Sequence, residues 1–323
     1  MEDPHQSHES GNPGVAGNEG GTLQNLGRAR LFGYDLRIGE GEQPQPNCHV
    51  DFALGFLPER SLRVVEMLKI LTGLDRFYFC ATSTEAVMLA RRLARAATGK
   101  RKIAAFRGSN HGQYDRVAAT QPDIEDQAAT WGNPPGCQED LLLREYCQDS
   151  SLDIIARNRE TLAAVLVEPF QTRHPELEPS RFLRDLQALA GQSPFLLILD
   201  ELVSGFRLHP AGARGFLGIE ATLVLCGKAL SNGMPLAAVA GQRGVMDLLG
   251  GGDWQFGDFS RPALLTVPHG GTYHLHPLAM RSMEGVLERL VKAGPALQEK
   301  MSRETAAMIA ALDSAPLYGS SLP

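Results

Sequence analysis

The chain has 323 residues, 43% of them hydrophobic and 21% charged, with a formal net charge of -6. That is the make-up of a globular protein large enough for one big domain with an appendage, or for two domains. The acidic balance, and the lack of any basic run interleaved with aromatics, exclude nucleic-acid binding as the main business. No stretch approaches the roughly 18 unbroken apolar residues of a membrane span.

The first segment, MEDPHQSHESGNPGVAGNEGG, is polar, acidic and Gly-rich. It has no basic start followed by an apolar stretch, so it does not read as a signal peptide. Its composition buries too little surface to offset ordering, and residues 1–45 are expected to be a flexible arm. After it the texture becomes α/β. RFYFC (76–80) reads as a buried strand running into a helix on which Ala86, Leu89, Ala90, Leu93 and Ala97 share one face. Hydroxyl residues precede that helix, Glu85 lies in its first turn and Gly99 ends it. KIAAF (102–106) is the next strand, and residues 121–140, with Pro122, Pro134, Pro135 and Gly136, form a long connection. A helix is expected over 151–161, strands at LAAVLVEP (162–169) and PFLLILDE (194–201), and an amphipathic helix between them at 180–190. ATLVLCGK (221–228) and LAAVAG (236–241) are two further strands, and from Pro277 the pattern is helical to about Leu312. Strands alternating with helices imply a mainly parallel sheet covered by helices.

Cys48, Cys80, Cys137, Cys147 and Cys226 form an odd set with no CxxC or CxH spacing. Free thiols in a reducing cytoplasm are expected, not disulfides or a zinc site.

In parallel sheets functional groups gather at the carboxyl ends of strands. Five such ends carry polar groups: Thr82–Ser83–Thr84, Asn110–His111, Glu168, Asp200–Glu201 and Lys228. Taken singly each has a structural reading. Thr82 to Thr84 would cap a helix, Asp200 likewise, and Lys228 would be a solvated charge at a strand exit. Together they match the needs of pyridoxal 5'-phosphate (PLP). Its phosphate suits a helix N-terminus rich in N–H and hydroxyl donors. Its ring nitrogen stays protonated when a buried carboxylate faces it, and a lysine holds its aldehyde as a Schiff base. A P-loop is excluded, because no glycine stands five residues before Gly227 and Ala229 replaces the required Ser or Thr. No GxGxxG follows the first strand, so a dinucleotide fold lacks its fingerprint.

FYFCATSTEAVMLARRLARAATGKRKIAAFRGSNHGQYD resembles the phosphate-binding segment of class III aminotransferases. AAVLVEP, LLILDELVSGFR and CGKALSNGMPLAAVAGQRGVMD resemble that family's later blocks, in the family's order. The likeness runs from about residue 60 to 290. Within the family, LVEPFQTRHPELEPSRFLRDLQAL, GGDWQFGDFSRP and GGTYHLHPLAM resemble the glutamate-1-semialdehyde-aminomutase-like members, above all those serving polyketide and nonribosomal-peptide assembly lines.

The resemblance implies a fold-type I PLP-dependent transferase: an α/β large domain over residues 46–285 and a shortened helical remnant of the C-terminal small domain over 286–323. It implies Lys228 as the Schiff-base lysine and proton shuttle, and Asp200 as partner of the ring nitrogen. Leu202 becomes an apolar contact on one ring face, and Thr82, Ser83 and Thr84 hold the phosphate. Asn110 and His111 occupy the loop that borders the ring, and Glu168 lines the pocket. Thr272 would reach the phosphate of the other subunit of a homodimer with shared sites. The implied reaction moves an amino group from an amino-acid donor to a keto or oxoacyl acceptor, which in the assembly-line subgroup is a 3-oxoacyl thioester on an acyl carrier protein. Aminomutase chemistry is the neighbouring alternative.

The chain departs from the family in places. The glycine of the phosphate turn is Ser83, expected to cost ~1 kcal/mol or more if φ there is positive. Asn110 replaces a stacking aromatic ring worth roughly 0.5–1.5 kcal/mol. A segment that usually lines the substrate pocket is missing after VDFALGF (50–56). These departures keep open a second class of function, a catalytically impaired scaffold or partner subunit on the same fold.

Overall fold

The protein is described by a computed structural model that covers residues 26–31, 34–39, 59–117, 132–134, 136–251 and 265–314. The runs RFYFC, KIAAF, LLLR, LAAVLV, LLILDE, LVLCG and AAVAG form strands β3 (Arg76–Cys80), β4 (Lys102–Phe106), β5 (Leu141–Arg144), β6 (Leu162–Val167), β7 (Leu196–Glu201), β8 (Leu223–Gly227) and β9 (Ala237–Gly241). They make one seven-stranded sheet in the order β3-β9-β8-β7-β6-β4-β5. β9 runs antiparallel to β3 and β8, and the remaining pairs are parallel. Six strands therefore point the same way, and their carboxyl ends share one edge. Every position of β6, β8 and β9 is buried, as strands covered on both faces require.

Alternate residues feed two cores. On one face Phe79, Phe106, Val165, Leu199 and Val224 pack with Phe182, Leu186, Met283 and Leu287. There Phe106, Tyr146 and Phe182 form an aromatic trio with centroids 5.3–5.4 Å apart, Phe182 standing edge-on to the other two rings. On the other face Tyr78, Leu166, Ile198, Leu225 and Val239 meet the apolar side of α2 (Ser83–Thr98), which lies against β9, β8, β7 and β6. That crossing brings the N-terminus of α2 to the carboxyl edge of the sheet.

Elements beyond the expected ones appear. Helix α1 (Glu59–Thr72) packs on α7 (Pro277–Ala293), with Arg60 Nε donating to Glu284 Oε2 at 2.8 Å. β5 follows the long connection, whose residues 118–131 lie outside the described ones. Inside the expected flexible arm, β1 (Leu26–Leu31) and β2 (Tyr34–Gly39) pair as an antiparallel hairpin that places Arg30 opposite Asp35. Period-two alternation at Tyr34, Leu36 and Ile38 supplies the strand pattern that overall polarity concealed. The expected domain boundary after residue 285 falls within α7. Leu287 and Leu290 belong to the main core, so the change of character comes at Gly294. Beyond it α8 (Ala296–Ser314) is anchored by Leu297 and the 2% exposed Gln298, and from Glu299 to Leu312 it is exposed.

Candidate active site

β8 delivers Lys228 to the carboxyl edge, and the backbone there is bent hard. Lys228 has φ 48° and Asn232 φ 51°, both left-handed, within the turn that links β8 to β9. Residues without glycine's freedom hold such angles only when surroundings enforce them, a habit of functional sites. Ser231 Oγ, donating to Met234 O at 2.6 Å, helps enforce this turn. Lys228 is exposed and lines a cleft of about 620 Å³ together with Thr82 and Ser83, at the start of α2, and Arg207.

Thr82 is the N-cap of α2 in a capping box. Its Oγ1 accepts from Glu85 N at 3.2 Å, and its own N–H donates to Glu85 Oε2 at 2.9 Å. The hydroxyl expected to hold a phosphate is thus engaged in capping. The N–H groups of Ser83 and Thr84 have no partner among the described residues, so the anion-binding capacity of the helix lies in its backbone. Ser83 is the first helical residue and does not have a positive φ, so the strain expected from replacing a glycine there does not arise. The close approach has moved to Gly112 (φ 88°), where a Cβ would lie 2.5 Å from Thr84 Oγ1.

Asp200, at the end of β7, is 2% exposed. Its Oδ2 lies 2.6 Å from Nδ1 of the fully buried His111, and its Oδ1 accepts from Leu202 N at 3.2 Å. A carboxylate can only accept, so the imidazole hydrogen sits on Nδ1, and Nε2 is left buried without a partner. Two side chains from the loop after β6 brace the segment that carries His111. Glu168 accepts Asn110 N on Oε2 at 3.2 Å and Thr172 Oγ1 on Oε1 at 2.6 Å. Gln171, which sequence reasoning missed, donates to Arg107 O at 2.7 Å and to Ser109 Oγ at 3.0 Å. Gly108 (φ 84°) permits that contact, since a Cβ there would sit 2.5 Å from Gln171 Oε1. Glu168 is therefore a brace, and Asn110 is held by its backbone N–H with its Oδ1 accepting from Gly112 N.

The aminotransferase class-III family model matches residues 42–316, most of the chain. The chain belongs to this family. It is 34% identical over 269 residues to a glutamate-1-semialdehyde 2,1-aminomutase of Deinococcus deserti, covering 80% of this chain and 58% of that protein. It is 30% identical over 267 residues to the enzyme of the same name from Ruminiclostridium cellulolyticum, covering 79% of this chain and 57% of that one. Among solved structures, a transaminase with PLP bound superposes with a TM-score of 0.64 at 32% identity, over 74% of this chain and 55% of that chain. An omega-transaminase from Sphaerobacter thermophilus gives 0.65 at 27% identity, over 75% and 55%. The chain spans somewhat more than half the length of these relatives.

As a class III chain, its expected site residues divide into two groups. Lys228, Thr82 and Ser83 share the open cleft. Asp200, His111 and Leu202 lie just beneath, buried at the same sheet edge. β7 and β8 are adjacent and parallel, with Glu201 level with Cys226, and Leu202 Cδ2 would lie 2.9 Å from a Cβ on Gly227. Thr272 is exposed and has no partner among the described residues. Its segment lies along α2 of its own chain, where Arg92 Nη1 donates to Pro268 O at 2.5 Å. Among the described residues no group of three His, Cys, Asp or Glu is placed to hold a metal.

Glu201, beside Asp200, was not assigned a role from the sequence. It is 1% exposed and accepts Ala213 N at 2.6 Å and Arg214 N at 2.8 Å, tying the end of β7 to α5 (Gly212–Leu217). Burial pushes its carboxyl from 4.5 up to about 7, against the lowering effect of those two hydrogen bonds. Between these values the folded chain holds a proton that the unfolded chain has released, so its contribution to stability falls as pH rises through that window. The whole excursion is on the order of 3 kcal/mol. Glu201→Gln should flatten it, as read from urea midpoints at pH 5 and pH 8. An equal pH slope in the variant would remove Glu201 as the source.

Proposed function

We propose that this chain forms the large domain of a PLP-dependent aminotransferase that moves an amino group from an amino-acid donor to a keto or oxoacyl acceptor. The observation that carries the reading is one cleft lined by an exposed, backbone-strained lysine and by a helix start with unpartnered N–H groups. The residues present fit PLP. The N–H groups of Ser83 and Thr84 would take the phosphate, Asp200 the ring nitrogen, Leu202 one ring face and Lys228 the aldehyde. The buried, unpartnered Nε2 of His111 leaves one polar atom still to be satisfied at this edge. When bound, the cofactor supplies an aldehyde that exchanges amines and a pyridinium ring that accepts an electron pair.

The chain's own groups supply the rest. Lys228 Nζ, in the cleft, would hold the aldehyde and would serve as the base that takes a proton from the substrate carbon and gives it back. Asp200 keeps a hydrogen on the ring nitrogen, since an opposite charge within a few Å favours the charged form by roughly 1–3 pKa units. His111 donates Nδ1–H to Asp200 and so fixes the plane of the carboxylate. The N-terminus of α2 offers two N–H donors and a partial positive charge to an anion. Leu202 keeps water off the face of the group that Asp200 addresses.

A 3-oxoacyl thioester on an acyl carrier protein is the acceptor we favour, on the assembly-line resemblance of residues 166–189, 251–262 and 270–280. Glutamate-1-semialdehyde isomerisation is the second reading, favoured by the names of the relatives at 30–34% identity. Thr272, exposed and unpartnered, suits a contribution to a second subunit of a homodimer, and sedimentation of a fully active monomer would count against that.

The deciding experiment supplies purified protein with PLP and records absorbance while amino acids are added. Bleaching of the visible band by a donor is expected, with recovery on adding either a 3-oxoacyl thioester or glutamate-1-semialdehyde, whichever is the acceptor. Stable cofactor binding with no response to any donor would leave a cofactor-holding scaffold.

A further inference from the structure

We propose that Arg207 binds the carboxylate of the amino substrate, a deepening that rests on the transamination reading above. Arg207 lines the same cleft as Lys228, among lining residues that include no Asp or Glu. Its Nε donates to Val203 O at 2.7 Å, while its two terminal nitrogens carry no hydrogen bond or ion pair among the described residues. The guanidinium is thus anchored at its base, with its forked edge free.

The backbone is bent to achieve this. Phe206 has φ 62° yet is only 5% exposed, so its ring enters the core while the next residue faces the cleft. Three contacts hold the bend. Gly205 N donates to Glu201 O at 2.8 Å, where a Cβ on Gly205 would come within 2.6 Å of that oxygen. Arg207 N donates to Ser204 O at 3.2 Å. The buried Gln298, from α8, donates Nε2 to Phe206 O at 3.1 Å. A left-handed bulky residue costs of order 1–3 kcal/mol and persists where its surroundings over-determine it.

An α-amino acid reacting at Lys228 carries its carboxylate on the reacting carbon, and so within a few Å of that lysine. The unpaired charge of Arg207 lines that same cleft, while the backbone N–H groups at the start of α2 suit a phosphate. A guanidinium pairs with a carboxylate through two parallel N–H donors, which fixes orientation as well as charge.

The test compares L-alanine with isopropylamine, which has a methyl group in place of the carboxylate, on PLP-loaded protein. Arg207→Gln should raise the half-saturating alanine concentration about 10- to 100-fold, the weight of a charged hydrogen-bonded pair. It should raise that for isopropylamine far less, and Arg207→Lys should recover part of the loss. Glutarate, a dicarboxylate without an amine, is titrated into the same proteins by calorimetry, and its affinity should fall by a similar factor in Arg207→Gln. Equal losses for both amines, unchanged glutarate binding, or simple loss of PLP from the variant on dialysis would each overturn the assignment, the last by making Arg207 a phosphate ligand. If the parent protein reacts with neither amine, the transamination reading fails, and glutarate still decides Arg207.

Discussion

Lys228→Ala should lower turnover by about 10⁴-fold or more, while the purified protein stays folded and still binds PLP. The size of the loss follows from the two roles given to one nitrogen, covalent attachment and proton movement, neither of which alanine can perform. The expected survival of the fold follows from exposure, because Lys228 lines the cleft and no hydrogen bond or ion pair among the described residues uses its Nζ. Alanine at φ 48° suffers the same backbone strain as lysine, so Lys228→Gly should give an equally inactive and slightly more stable protein. Borohydride reduction of the parent should fix the cofactor to the peptide containing Lys228, and neither variant should take the label. Labelling of Lys228→Ala at another lysine, or retained turnover, would remove Lys228 from the mechanism and return it to the role of a solvated charge at a strand exit.

Much of this site is legible in the sequence because a parallel sheet converts order along the chain into position along one edge. Apolar runs such as LAAVLV and LLILD can only be strands buried on both faces, and whatever polar residue follows each run must stand at the carboxyl edge. Glu168, Asp200 and Lys228 were found in that way. What stayed hidden depends on contacts between residues distant in sequence. Nothing local says that His111 meets Asp200 across 89 residues, or that Gln171 holds the loop at Arg107 and Ser109. Thr82 stayed between two readings for a different reason. A hydroxyl at a helix start serves a cap and an anion equally well; the structure shows the reciprocal Glu85 contact of the cap, in which Thr82 Oγ1 accepts and its hydrogen stays available to an anion. The reach of the main core past residue 285 is hidden for a similar reason, since the amphipathic period of α7 runs unbroken across it and burial alone shows that Leu287 and Leu290 belong to the core.

Asp200→Asn should cost roughly 10²- to 10⁴-fold in turnover with little loss of stability, and a double-variant cycle with His111 should show why. Asparagine keeps an oxygen for Leu202 N–H, and its NH2 can donate to His111 Nδ1 once the imidazole hydrogen moves to Nε2, so the buried polar contacts at the end of β7 can be kept. What vanishes is the negative charge, and with it the roughly 1–3 pKa units by which the carboxylate keeps a hydrogen on the ring nitrogen. His111 touches that nitrogen only through Asp200. His111→Gln should therefore cost about 10-fold in the parent, by freeing the carboxylate to rotate, and much less in Asp200→Asn, where no charge remains to be oriented. Non-additivity of that kind is the signature of a single acting unit, whereas independent structural roles would give losses that multiply. The spectrum supplies a second readout. Loss of the carboxylate should shift the visible band of bound PLP and its dependence on pH, while His111→Gln alone should shift them less. If the Asp200→Asn protein turns over normally, or if the His111 and Asp200 effects multiply, the pair is an internal brace of the sheet edge and the positive ring must be held by some other group.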